Sequence, residues 1–171
     1  MKNSLRQNNI DILDKCIAFL HTIGIRTAFE KINTECFLPG LMIRNGIIVI
    51  DIDSLLYPGD ILHEAGHIAV VPPEMRSSLD QQSITTSKNR EAEEMMAIAW
   101  SFAACIHLQI DPHIVFHEQG YKGDGKNIVD NFQNGRFIGT PMLQWCGMTI
   151  EPKNKKEDLP VYPSMIKWLR N

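Results

Sequence analysis

The chain has 171 residues, 44% of them hydrophobic and 22% charged; this length and balance suit one globular unit over residues 1–171 and exclude disorder as the main state. Seventeen Lys and Arg against twenty Asp and Glu give a net charge of -3, too little positive field to favour nucleic acid as a partner. The four cysteines, Cys16, Cys36, Cys105 and Cys146, form no C-x-x-C pair, which excludes a zinc ribbon or a thioredoxin-like redox motif.

The first nine residues are basic but carry no apolar run, so no secretory leader is expected and the reading is cytoplasmic, with reduced thiols. Apolar residues at Ile10, Leu13, Ile17, Leu20 and Ile23 recur every three or four positions and predict an amphipathic helix ending at Gly24. Asn45-Gly46 between Leu41-Met42-Ile43 and Ile47-Ile48-Val49-Ile50 predicts a β-hairpin, because that dipeptide supplies the two positive-φ residues of a type I′ turn. Pro58-Gly59-Asp60 marks entry to a helix from about Ile61, with Asp60 as N-cap, that stops by Val71 before Pro72-Pro73.

The polar segment from Glu74 to Lys88 reads as a mobile connection with a turn of helix near Arg76 to Leu79. A long helix from Arg90 to Ile110 follows, apolar on most of its circumference and therefore surrounded by other elements. Its run from Met95 to Leu108 is interrupted by Ser101 and His107 and is shorter than the roughly 20 residues of a membrane span, so no membrane contact is expected. Asp111-Pro112 caps a short helix from His113 to Glu118, Gly- and Asn-rich chain extends to Gly147, and Val161 to Leu169 is expected to form a last short helix. The fold class is α+β, mostly helical, with a small antiparallel sheet or hairpin.

Chemistry concentrates in His63-Glu64-Ala65-Gly66-His67. On a helix, positions four apart point the same way, so the two imidazoles can share one ion while Glu64 lies beside the open coordination position. Zinc suits two nitrogens and an oxygen, lowers the pKa of its water, and leaves the glutamate to act as general base. The same letters also describe two partly exposed histidines with an unrelated glutamate.

A catalytic zinc takes a third protein ligand. The residues after His67, Ile68-Ala69-Val70-Val71-Pro72, exclude the H-x-x-G-x-x-H extension of metzincins. Glu94 shares a helix face with Ala97 and Ser101, small residues that allow close packing against the H-E-x-x-H helix. Glu93 borders the same strip, and Glu91 projects toward Gln109. Glu94 is the preferred third ligand and Glu93 the alternative; helix N-termini also attract carboxylates with no metal involved.

A helix, a hairpin, an H-E-x-x-H helix and a later helix bearing a glutamate resemble the gluzincin metallopeptidases, especially the compact ImmA/IrrE type, over roughly residues 10 to 110. Glu91-Ala92-Glu93-Glu94 matches that family's Glu-x-Glu-Ala pattern in part. The resemblance implies a zincin-like (minigluzincin) core, bound Zn²⁺, and cleavage of a peptide or protein substrate. The competing expectation is a catalytically silent zinc-binding domain with a regulatory or protein-interaction role.

Peptide hydrolysis also needs a donor for the developing oxyanion, and His117 or Tyr121 is the candidate. His113 and His117 are four apart, but no acidic residue in register completes a second metal pair. His107 is expected in the core and His21 on the surface, with Met95, Met96, Trp100 and Phe102 buried. The stretch from Gly135 to Met148 either covers the long helix or lines a cleft with Phe137 and Trp145; the first is preferred. Gly123-Asp124-Gly125-Lys126 lacks the spacing of a phosphate loop.

Overall fold

The computed structural model describes residues 2–34, 36–155 and 158–171. In chain order it contains α1 (Lys2–Thr22), β1 (Arg26–Phe29), β2 (Leu41–Arg44), β3 (Ile47–Ile50), α2 (Asp60–Val70), α3 (Pro73–Arg76), α4 (Gln81–Thr86), α5 (Arg90–Leu108), α6 (Gly125–Gln133) and α7 (Thr140–Trp145). Short 3-10 turns lie at Pro112–Ile114, Tyr121–Gly123 and Pro152–Asn154. The class is α+β.

Helix α1 stops where Gly24 takes a φ of +88°. There Ile25 N–H donates to Leu20 O and Gly24 N–H to His21 O, the two bonds of a Schellman motif. The chain turns directly into β1. Asn45 and Gly46 both have positive φ, as a type I′ turn requires, and they join β2 to β3 in antiparallel register. The sheet is mixed, not purely antiparallel: its order is β1-β3-β2, with β1 parallel to β3. Strand β1 escapes the sequence pattern because it is an edge strand of four residues, two of them exposed, and has no continuous apolar face.

Leu41, Ile43, Ile48 and Ile50 bury one face of the sheet, and α2 packs beside it. Every residue of α2 except His63 is buried, because the sheet and α1 lie to one side and α5 to the other. The helix begins at Asp60 behind Gly59 with no side-chain cap; Asp60 is no N-cap, since its carboxylate turns to His117 instead. A Cβ on Gly59 would sit 2.4 Å from Ile114 O, so backbone packing selects the glycine at this entry.

Several expectations are corrected. Residues 73–86 form α3 and α4 rather than a loose connection: Asp80 accepts from Ser83 N–H at 2.7 Å and Ser83 Oγ accepts from Asp80 N–H at 2.9 Å, a capping box built on serine. Residues 113–118 form no helix beyond the turn at Pro112–Ile114, so His113 and His117 do not share a helix face. His107 is exposed and lies against the rings of Phe19 and Trp168, and Met95 is exposed as well. Met96, Trp100 and Phe102 are buried; His21 is exposed.

The Gly- and Asn-rich stretch contains α6 and α7. Ile128, Val129 and Phe132 are buried from α6 and Leu143 from α7, and α7 packs on α5. Phe137 packs against Tyr162, whereas Trp145 is 81% exposed beneath the Arg170 guanidinium. Residues 161–169 form no helix, because Pro160 and Pro163 interrupt it. They make a strap across α2 and α5: Tyr162 Oη donates to Ala99 O, Trp100 Nε1–H to Trp168 O, and Arg170 N–H to Ala69 O. Among the described residues, no helix is long and apolar enough to cross a membrane.

Candidate metal centre

Two helices build the centre. His63 and His67 lie one turn apart on α2, and Glu94 belongs to the first turns of α5. The helices approach closely because the residues between them are small: a Cβ on Gly66 would lie 2.9 Å from Ala97 O and 3.1 Å from Ala97 Cα. Ser101 sits in the same seam, its hydroxyl donating to Ala97 O at 2.6 Å and lying 3.3 Å from Leu62 O. That seam carries Glu94 over the two imidazoles.

The donor atoms form a small triangle. His63 Nε2 and His67 Nε2 are 3.1 Å apart, with Glu94 Oε1 3.5 Å from the former and Glu94 Oε2 3.4 Å from the latter. Zinc-nitrogen and zinc-oxygen bonds of roughly 2.0–2.1 Å in tetrahedral geometry imply ligand separations of about 3.3–3.4 Å. The separations are near those values, with a different Glu94 oxygen nearest each ring, so the three residues could hold one such ion. The histidine side chains are 13% and 8% exposed and the Glu94 side chain 40%, so the opening lies on the glutamate side.

Burial pulls the His63 imidazole down to about 4. Burial, then His63, pulls His67 down to about 3, with Arg90 adding to the effect and Glu94 opposing it. Both rings are therefore neutral near neutral pH, the form with a lone pair for a metal. Tyr121 Oη lies 3.0 Å from His63 Nδ1, its ring edge-on to the imidazole. A proton on Nδ1 shared with the tyrosine oxygen leaves Nε2 free, the outer contact that fixes a ligand histidine. Burial first, then Glu94, Asp60 and Glu64, holds the Tyr121 phenol well above its ordinary range, so it stays neutral. Tyr121 and Lys122 have φ of 52° and 56°, a left-handed pair that costs backbone energy and swings the ring toward His63.

Glu64 is buried but does not belong to the donor triangle. Its Oε2 has no hydrogen-bond partner, and burial, then Asp60 and Glu94, pushes its carboxyl up to about 8. One turn earlier Asp60 Oδ1 lies 3.0 Å from His117 Nε2, and the His117 ring stacks on Tyr57 at 3.8 Å. Burial pushes Asp60 up to about 6 against the opposing pull of His117.

Of the sequence-derived candidates, the structure brings together His63, His67 and Glu94, with Glu64 adjacent and Tyr121 behind His63. Glu93 contributes no atom to the cluster, because one residue turns its side chain about 100° around the helix. Of the oxyanion candidates, Tyr121 Oη lies 3.0 Å from His63 Nδ1, and His117 Nε2 lies 3.0 Å from Asp60 Oδ1 while its Nδ1 has no partner. His113 pairs with Asp111. Asp60 and Tyr57 are the residues the sequence reading missed; the spacing of Asp60, four before Glu64 on a helix, was the available signal. Compared with protein-family models, with curated proteins and with solved structures, the chain finds no match.

Proposed function

We propose that the protein is a zinc-dependent hydrolase, a metallopeptidase of gluzincin type with a zincin-like, ImmA/IrrE-like core, acting on a peptide or protein in the cytoplasm. The observation that carries this reading is the His63, His67, Glu94 triangle near tetrahedral spacing, with the unpartnered Glu64 carboxyl beside it and outside it. A purely structural zinc site fills all four positions with side chains and has no use for that carboxyl. The cysteines of the chain are free thiols, in keeping with a reducing compartment.

When bound, zinc supplies a Lewis acid that polarises a carbonyl and lowers the pKa of a water. His63 and His67 present neutral Nε2 atoms, Glu94 presents a carboxylate, and Tyr121 keeps the His63 ring from turning. Burial keeps the Glu64 carboxyl protonated near neutrality in the metal-free chain; the charge of a bound cation beside it would ionise it, and the carboxylate would then accept a proton from the attacking water and deliver it to the leaving amine nitrogen. His117 holds Asp60 at the start of α2, one turn before Glu64.

The test is peptide-library cleavage by zinc-loaded wild type and Glu64→Gln in parallel. The amide keeps shape but cannot accept a proton, so zinc content and fold should hold while turnover drops by about 10²–10⁴. Zinc-loaded wild type that cleaves nothing, or a variant that cleaves equally well, hands the site to a silent regulatory zinc domain.

A further inference from the structure

Strand β1 leaves one edge of the sheet open. Its neighbour on one side is β3, and among the described residues no backbone hydrogen bond reaches Arg26, Thr27, Ala28 or Phe29 from the other side. The open groups can be assigned. Glu30 N–H donates to Ile50 O of β3, and backbone direction alternates along an extended chain, so Ala28 and Arg26 also face β3. Thr27 and Phe29 therefore point their N–H and C=O groups outward. Phe29 is 59% exposed, unusual for a large ring on a strand, and a groove of about 380 Å³ opens at the start of the same strand, lined in part by His21, Ile25, Arg26, Thr27 and Ala28.

We propose that β1 is a dimer interface, where a second copy of this chain adds its own β1 antiparallel about a two-fold axis through Ala28. This register satisfies three independent requirements. Thr27 and Phe29 of one copy face Phe29 and Thr27 of the other as hydrogen-bonded pairs, using the outward backbone groups in four bonds. Arg26 of each copy stands opposite Glu30 of the other, whose Oε2 accepts from Arg44 of its own chain and whose Oε1 is left for the cross-strand partner of opposite charge. The exposed Phe29 ring falls over Thr27, at the groove of the opposite copy. Axes through Thr27 or Phe29 place no opposite charges face to face. Self-complementarity about Ala28 is what selects a copy of the chain over an unrelated strand, because an isologous interface needs one patch that matches itself. The joint, five residues from each copy, forms one continuous sheet of six strands.

This inference does not rest on the metal site, and its test leaves that site untouched. Sedimentation equilibrium of the full chain should give twice the chain mass. Thr27→Pro removes an outward N–H without touching the bonds to β3, and Phe29→Lys removes the ring and adds charge; each should weaken dimerisation at least about tenfold while zinc content is unchanged. Ala28→Cys places two thiols at a non-hydrogen-bonded antiparallel pair, where Cα atoms lie about 4.5 Å apart, within reach of a disulfide. Mild oxidation should link this variant into covalent dimers, and Glu30→Cys should not link. A wild type that stays monomeric up to its solubility limit, a dimer that survives both edge substitutions, or an Ala28→Cys variant that fails to cross-link would overturn the proposal.

Discussion

Gly66 on α2 faces Ala97 on α5 so closely that a Cβ at position 66 would sit 2.9 Å from the Ala97 carbonyl oxygen. This contact sets the distance between the helix that bears both histidines and the helix that bears Glu94. Gly66→Val forces the helices apart, and overpacking of this kind costs about 1–3 kcal/mol. The expected result is a lower Tm together with at least about tenfold weaker zinc binding, read by thermal unfolding of the apoprotein and by chelator competition. An equal loss of stability with unchanged zinc affinity would separate the seam from the site.

In the proposed site Tyr121 would act on the metal through His63. Tyr121→Phe keeps the ring and deletes only the hydroxyl at 3.0 Å from Nδ1, so the fold should persist while zinc affinity drops about 10- to 100-fold, the usual effect of removing such an outer partner. Chelator competition measures it, and the ¹⁵N shifts of His63 report whether the tautomer is released.

Glu94→Gln should abolish stoichiometric zinc, whereas Glu93→Gln and Glu91→Gln should retain it. All three start the same helix, so a loss common to all of them would point to the helix terminus and its dipole instead of a specific ligand. Elemental analysis of the three variants, purified identically, decides between these outcomes.

Asp51 accepts from Ile32 N–H at 3.1 Å and from Ser54 Oγ at 3.1 Å. The Ile32 bond is the main cause that lowers its carboxyl pKa, burial opposes it, and Ser54 and the Asp53 N–H add to the lowering. A carboxyl lowered in the folded state contributes stability that is present above its unfolded value of about 3.9 and is lost as pH falls through the folded value. Asp51→Asn should therefore be less stable near neutrality and show a flatter loss of stability below about pH 4, measured by urea unfolding across that range.

Gln109 closes α5 in the left-handed region at φ 53°, with Ile110 N–H donating to Cys105 O. A side chain there costs roughly 1 kcal/mol that glycine avoids. Gln109→Gly should raise unfolding free energy by up to about that amount, with zinc content unchanged.

The parts of the fold legible in the sequence are those whose residues obey one dominant period or turn rule. Asn45-Gly46 announces its hairpin through two positive-φ residues, and α2 and α5 are bounded by proline and by polar residues that interrupt apolar runs. The same helical logic places Glu94 rather than Glu93 beside Ala97 and Ser101. What stayed hidden depends on contacts distant in sequence. Strand β1 exists because β3 pairs with it, α7 because Gly139 fits against Met95 O, and the strap at 161–169 because Trp100 and Ala99 offer partners 68 and 63 residues away. Asp60 illustrates the limit best: its position invites a cap, and only the fold brings His117 within 3.0 Å.

The most direct test of the central claim is the zinc content of the full chain, purified without added metal, beside His67→Ala purified in the same way. The triangle formed by His63, His67 and Glu94 requires one zinc per wild-type chain and a near-complete loss in the variant. Wild type without zinc that also fails to take it up on titration, or a variant that keeps its full complement, would contradict the account.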